Sequence, residues 1–425
     1  MFSYQNNQLI WHGHDTATLL ARAAKELAEK HHYTGPFWVY QEALLSERVK
    51  LLEQGLPGCK FYFSVKSQSN LSLLSLIAAH ERFGADVVSG GELYRALKAG
   101  FAPGKIVFAG VGKSEAEIAV GLDLGIRSFH VESIAELSDI ARIAAEKSVV
   151  GSVSFRLNPD VEVDTHRHIT TGKEENKFGL SEADFAEALK IVKASPSLRL
   201  VGLQAHIGSQ IFDVGPYLKT AEYLRQKFNI ASEALGAKPE YVSLGGGFGV
   251  NYQQLEGNAV NFDFAALAKA VQGIFASETE IHFEPGRFIS APLGILASQV
   301  RHLKQRTGKI IAIIDAAMND LIRPMLYEAY HPILPVQRRE KKLVYDIVGP
   351  VCESTDTFAH ARELTELAEK DWLAIGYAGA YGSVMSSTFN SRLLIPEVLL
   401  TEKGEIRIIR KPQTLEQLLA NEVVN

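Results

Sequence analysis

FYFSVKSQSN, residues 61–70, begins as a strand, with Phe61, Phe63 and Val65 alternating with Tyr62 and Ser64. It then delivers Lys66 among small polar residues. A lysine at a strand tip is commonly a solvated surface group. The other reading is an amine held over a pocket, as a nucleophile or as the anchor of an aldehyde cofactor. Working outward, similar β-rich runs recur: FWVY (37–40), ADVVS (85–89), KIVFAG (105–110) and SFHVES (128–133). The series continues with SVSFRLN (152–158), LVGLQAHIG (200–208), YVSLGGG (241–247) and IHFEPG (281–286). Segments between them, such as GELYRALKAG and DFAEALKIVKA, place apolar residues at i, i+3 and i+4. Strands alternating with helices predict parallel βα units. Eight or more of them predict an α/β fold built on a (β/α)8 barrel, with an open doubly wound sheet as the alternative.

After about residue 290 the texture changes. KIIAIIDAAM, LVYDIVGP, WLAIGYAGAYG and PEVLLTEKGEIRIIR read as strands without long helices between them, which predicts a second, mostly antiparallel β domain. A chain of 425 residues has room for both. Its longest apolar runs are strand-sized, so no membrane span is expected. A net charge of −5 gives no basic footprint for nucleic acid. Only Cys59 and Cys352 are present, and the opening MFSYQNNQLIWHGHD has no basic segment before an apolar core. A cytoplasmic enzyme or small-molecule binder is therefore expected.

In a barrel, reactive groups sit at the C-terminal ends of the strands. Lys66, Ser89, Arg156, His206, Gly245–Gly247 and Glu284 all fall at such ends. The glycine triplet would let backbone N–H groups approach an anion closely, although a tight turn reads the same way. GGGFGVNY lacks the G-x-G-x-x-G spacing of dinucleotide sites, and GVGKS (110–114) fails as a P-loop because Val107 occupies the place of the first glycine. His166, His168 and His206 raise a metal reading, but no Cys/His/carboxylate spacing supports zinc, and no metal is expected. A lysine, an anion cradle, a histidine able to stack and a carboxylate on one rim suit pyridoxal 5'-phosphate (PLP).

At this level of detail the chain resembles the barrel-type (fold type III) PLP-dependent decarboxylases, most closely the diaminopimelate decarboxylases. The matching segments are FSVKSQSN, GADVVSGGELYRAL, IVFAGVGKS, VESIAEL, RLNPDVEVDTH, TGKEENKFGL and HIGSQI, then SLGGGFGVNY, EPGR, DAAMNDLIRPMLYEAYH, VGPVCESTD and GAYGSVMSSTFNSR. Their order and spacing, nearly end to end, carry the likeness. The resemblance implies an alanine racemase-like architecture, with the PLP-binding barrel over 40–285 and a β domain made of 1–39 plus 286–425. It also implies a homodimer with shared active sites.

The resemblance further implies roles for individual residues. Lys66 would hold PLP covalently and His206 would stack on its ring. Asp86 would join the cofactor site. Ser209, Gly245, Gly246, Gly247, Gly286, Arg287 and Tyr381 would take the phosphate. Glu284 would face the pyridine nitrogen and keep it protonated, which makes the ring a strong electron sink. Arg287, Arg323 and Tyr327, with Tyr381 beside them, would grip the distal carboxylate of the substrate, and Glu353 its distal ammonium. Cys352 would protonate the carbanion left after carbon dioxide departs, reaching the site with Glu353 across the dimer interface. Family members usually read K-A-N-x-N where this chain has Lys66, Ser67, Gln68, Ser69 and Asn70. The departure spares the lysine and the final asparagine, and it leaves room for a different substrate. The implied reaction is meso-2,6-diaminopimelate to L-lysine and carbon dioxide. The alternatives are a decarboxylase of the same fold for another carboxylated amino acid or conjugate, and a catalytically silent regulatory protein with a PLP fold.

Overall fold

A computed structural model of the chain describes residues 1–160, 177–256, 262–275 and 279–424. Two compact units emerge, one of Arg48–Gly249 with Asn261–Phe288, the other of Met1–Glu47, Val250–Val260 and Ile289–Asn425.

Eight parallel strands close the first unit into a barrel: β1 (Lys60–Ser64), β2 (Phe83–Val87), β3 (Ile106–Phe108), β4 (Ser128–Val131), β5 (Gly151–Arg156), β6 (Leu198–Gln204), β7 (Tyr241–Ser243) and β8 (Glu280–Phe283). Closure is made where β8 pairs with β1, His282 opposite Lys60 and Phe283 opposite Phe61. The helices between strands start where short polar side chains can satisfy free N–H groups. Asn70, Ser89, Ser114, Ser133 and Ser181 cap them, with full capping boxes at Ser114/Glu117 and Ser181/Asp184. The periodic segments fold as helices Gly90–Lys98 and Glu182–Ala194; the second buries Phe185, Ala188, Leu189 and Val192 on one face. Ser89, expected among the reactive groups of the rim, spends its hydroxyl on the Glu92 N–H as a helix cap.

The second unit holds a nine-stranded sheet and a three-stranded one. Its path runs Thr357–Thr365, Lys342–Val348, Lys309–Ile314, Gly294–Arg306, Phe37–Gln41, Glu397–Leu400 and Ile406–Arg410, with Ile333–Pro335 and Trp372–Ile375 to the side. Pairing is antiparallel except between Lys309–Ile314 and Lys342–Val348 and between Phe37–Gln41 and Glu397–Leu400. The run at 37–40, grouped with the barrel strands on sequence, therefore belongs to this sheet. All five residues of Phe37–Gln41 are buried, a pattern that a central strand of either sheet would give.

Candidate active site at the barrel mouth

The mouth is built by the loops that leave β1, β2, β6, β7 and β8. Lys66 sits in a single 3-10 turn, Val65–Ser67, directly after β1. Val65 and Ser67 are buried on either side of it while Lys66 itself is exposed. The Ser67 hydroxyl donates to the Ser64 carbonyl at 2.9 Å, and the Gln68 N–H to Val65 at 3.0 Å, so the turn is held from within. Ser67 also packs close to Gly286, where an added Cβ would lie 3.1 Å from the serine Cβ. The Ser64 N–H donates to the Pro285 carbonyl at 3.1 Å, which ties the lysine turn to the EPGR turn.

Glycine is required where the β7 loop crosses its neighbours. Gly245 and Gly247 take φ of +69° and +100°, and a Cβ on Gly246 would stand 2.1 Å from the Glu284 carbonyl oxygen. The Glu284 N–H donates to the Gly245 carbonyl at 2.9 Å, and the Tyr217 hydroxyl to the Gly246 carbonyl at 2.8 Å. The Gly246 N–H donates to His206 Nδ1 at 3.2 Å, so His206 is a neutral imidazole with its proton on Nε2. Burial, with Lys66 and Arg156 nearby, holds its pKa well below the usual histidine value. Arg287 Nε donates to the Ser209 hydroxyl at 3.2 Å, joining two of the residues expected around a phosphate.

Two carboxylates lie beneath these turns. Glu284 is 6 % exposed and receives the Ser243 hydroxyl at 2.7 Å and the Gln204 amide at 2.8 Å. Burial foremost, and then the charge of Asp86, push its pKa up to about 7. Asp86 is raised by burial too, countered chiefly by Lys66. Its Oδ2 accepts from the Ser64 hydroxyl at 2.6 Å, and its buried Oδ1 has no hydrogen-bond partner among the described residues. Arg156 is engaged elsewhere, at 2.7 Å from Glu132.

Gln204, Ser243 and His130, which surround Glu284, were not among the residues singled out on sequence. Their signal was a polar side chain inside an otherwise apolar strand (LVGLQ, YVS, SFHV).

The remaining predicted residues lie in the second unit. Arg323 is buried, donates to His331 Nε2 at 2.8 Å and lies over the Tyr252 ring at 5.2 Å from its centroid. His331 Nδ1 in turn lies 2.9 Å from the Gly376 carbonyl, which fixes the tautomer that can accept from Arg323. Tyr327 is exposed at the end of the short helix Arg323–Tyr327. Cys352 and Glu353 are exposed between the strands Lys342–Val348 and Thr357–Thr365. The Asn390 side chain accepts from the Cys352 N–H at 3.1 Å. Tyr381 adopts a left-handed conformation, φ 54°. Among the described residues no group of three His, Cys, Asp or Glu side chains could hold a metal ion, and His166 and His168 lie outside those residues.

The mouth fits PLP. It offers an exposed lysine, a left-handed glycine turn with no room for side chains, and a buried carboxyl that, among the described residues, is hydrogen-bonded by neutral donors. A ring nitrogen that must stay protonated requires such a carboxyl.

Known proteins agree with this chemistry. A family model described as "Pyridoxal-dependent decarboxylase, pyridoxal binding domain" matches residues 42–291. Diaminopimelate decarboxylase of Haemophilus influenzae is 40% identical over 403 residues, covering 94% of this chain and 95% of that protein. That of Aquifex aeolicus is 39% identical over 396 residues, 93% of each. The crystal structure of diaminopimelate decarboxylase from Helicobacter pylori complexed with L-lysine superposes with a TM-score of 0.86 at 39% identity, covering 94% of this chain and 98% of that one. No helix among the described residues is long and apolar enough to cross a membrane. With the family model spanning the barrel and the relatives spanning nearly the whole chain, the protein belongs to the pyridoxal-dependent decarboxylases, in the diaminopimelate decarboxylase family.

Proposed function

We propose that the protein decarboxylates meso-2,6-diaminopimelate to L-lysine and carbon dioxide, with PLP as cofactor. The observation that carries the reading is Lys66 at the tip of β1 together with the buried Glu284 carboxyl at the tip of β8, which accepts from the Ser243 hydroxyl and the Gln204 amide. Bound PLP supplies an electron sink for the pair left on the α-carbon when carbon dioxide departs. Lys66 would anchor the cofactor through its amine, and His206 would stack on its ring and help exclude water. The charge of Lys66 draws the Asp86 carboxyl downward against its burial. The Gly245–Gly247 turn, Gly286, Ser209, Arg287 and Tyr381 bind the phosphate. Glu284 would face the pyridine nitrogen and hold its proton. Arg287, Arg323 and Tyr327 hold the distal carboxylate, because a guanidinium fork matches a carboxylate in a bidentate way. The His331 contact orients the Arg323 fork for that task.

Carbon dioxide release from a panel of amino acids tests the substrate. Diaminopimelate should be turned over, while L-lysine and L-ornithine, which lack the distal carboxylate, should be rejected by roughly 10⁴-fold. Efficient ornithine turnover would refute the assignment.

The same reading makes the working form a cytoplasmic homodimer in which one chain's Cys352 and Glu353 would serve the other's barrel, Cys352 returning a proton to the α-carbon and Glu353 pairing with the distal ammonium. Mixing dissociated Lys66→Ala and Cys352→Ala proteins should restore about a quarter of the unmutated activity, since half the dimers are mixed and each has one intact site. No recovery, with exchange verified by a tag, would place both residues in one chain's site.

A further inference from the structure

The interior of a (β/α)8 barrel is ordinarily filled by branched apolar side chains. Here a line of buried polar groups runs beneath Glu284. His130, on β4, is 1 % exposed, and its Nδ1 lies 3.8 Å from Glu284 Oε1. That nitrogen has no hydrogen-bond partner among the described residues. The opposite nitrogen, Nε2, lies 3.3 Å from the Tyr241 hydroxyl, which lies 2.6 Å from the Ser128 hydroxyl. We propose that His130 is a positioning residue for Glu284: its neutral imidazole presents Nδ1–H to the carboxylate and favours the ionised form.

The hydroxyl chain can run in two directions. If Ser128 donates to Tyr241 and Tyr241 donates to Nε2, the imidazole hydrogen resides on Nδ1 and its dipole faces Glu284. The reverse direction places a lone pair opposite an ionised carboxylate, two acceptors facing each other in a region of low dielectric. At 3.8 Å the contact is too long for a hydrogen bond, so the interaction is that of an aligned dipole with a charge. His130 acts as a dipole because it stays neutral. Burial, with Lys113, Arg156 and His282, holds its pKa well below the usual histidine value.

The other groups that face Glu284 act in both directions. Asp86 on β2 and burial favour the protonated carboxyl, while Ser243 on β7, Gln204 on β6 and Arg156 on β5 favour the carboxylate. Tyr62 on β1 is neutral in the physiological range, its pKa pushed up to about 12 by burial. His130 adds the contribution from β4. Its purpose rests on the proposed function, because a carboxylate that must hold a ring nitrogen protonated has to ionise despite burial. The contact itself does not depend on that reading.

The test uses the full chain freed of cofactor and follows the carboxyl stretching band of Glu284 by infrared titration, the band being assigned by its loss in Glu284→Gln. His130→Phe and His130→Gln should each raise the midpoint by about one pH unit. His130→Asn places an amide N–H close to the position of Nδ1 and should stay within about 0.3 unit of the unmutated chain. Circular dichroism checks that each variant folds; should the phenylalanine variant fail, the glutamine and asparagine variants carry the comparison. An unchanged midpoint without the imidazole overturns the proposal. So does a downward shift, which would make Nδ1 an acceptor from a protonated Glu284, and so does an asparagine variant that moves as far as the glutamine one. Carbon dioxide release takes no part in this readout, so a wrong substrate assignment and a wrong role for His130 are told apart.

Discussion

The two ends of the barrel treat acidic residues in opposite ways. At the N-terminal end, Glu280 meets Lys60 at 2.5 Å, Arg127 at 3.6 Å and His282 at 3.0 Å, while Glu240 meets Arg127 at 2.5 Å. The His282 hydrogen bond foremost, with Lys60, takes Glu280 down to about 2 despite partial burial. At the C-terminal end, Glu284 and Asp86 are met directly by hydroxyl and amide donors, and Glu284 rises to about 7. Glu92, behind the β2 loop, also rises to about 7, through burial and the neighbouring Asp86. One end neutralises its acids at the surface. The other buries them and keeps them protonatable, which costs stability in the cofactor-free protein. A stabilising scaffold has no use for that arrangement, whereas a site awaiting a protonated ring and a cationic linkage does.

The largest break of this contrast is Glu284→Gln. On the proposed reading the ring nitrogen would then lose the partner that holds its proton, and kcat should fall by about 10²–10³-fold. The same variant should change how the cofactor-free protein responds to pH. The folded carboxyl keeps its proton from its ordinary 4.5 up to about 7, a window in which the unfolded chain has already released it. Stability from this group is therefore greatest at low pH and falls as pH rises through that window, by about 3 kcal/mol in all. Denaturant titrations at pH 4.5 and pH 7.5 should show a smaller difference for the glutamine variant than for the unmutated protein. Equal differences would mean that Glu284 is not the group that retains the proton.

Glu280→Gln sharpens the other side of the contrast and should have the smallest effect. The folded pKa is depressed, so its contribution is present above the ordinary value of 4.5 and is lost as pH falls toward about 2. With the side chain 40% exposed, solvent screening keeps the contribution below about 1 kcal/mol. Activity should be unchanged, and only acid stability should decline. A large loss of activity would show that the two ends are coupled.

The sequence made the mouth legible because strand tips are where a barrel places its reactive groups. Lys66, His206, the glycine triplet and Glu284 all stand where the β-rich runs end. The charge balance around them was not legible, since it depends on which interior side chains meet across the barrel. Gln204, Ser243 and His130 come from three strands far apart in sequence, and only closure of the sheet brings them to Glu284. The strand at 37–41 escaped for a different reason. It is buried on both faces, so periodicity could not say which sheet it joins. The segment Val250–Val260, which belongs with the second unit, has no apolar periodicity to mark it off from the glycine-rich stretch before it. Arg323 was singled out through the family resemblance, but His331, which accepts from it, was not, because AYHP reads as an ordinary turn into a strand.

The central claim is that the amine at the end of FYFSVK is the cofactor's anchor. The direct test is to load the protein with PLP, reduce it with borohydride, digest it and locate the fixed cofactor by mass spectrometry. The account predicts a single modified peptide carrying Lys66, and no fixed cofactor in Lys66→Ala treated in the same way. Cofactor fixed to another lysine in the unmutated protein, or fixation unchanged by the substitution, would contradict it.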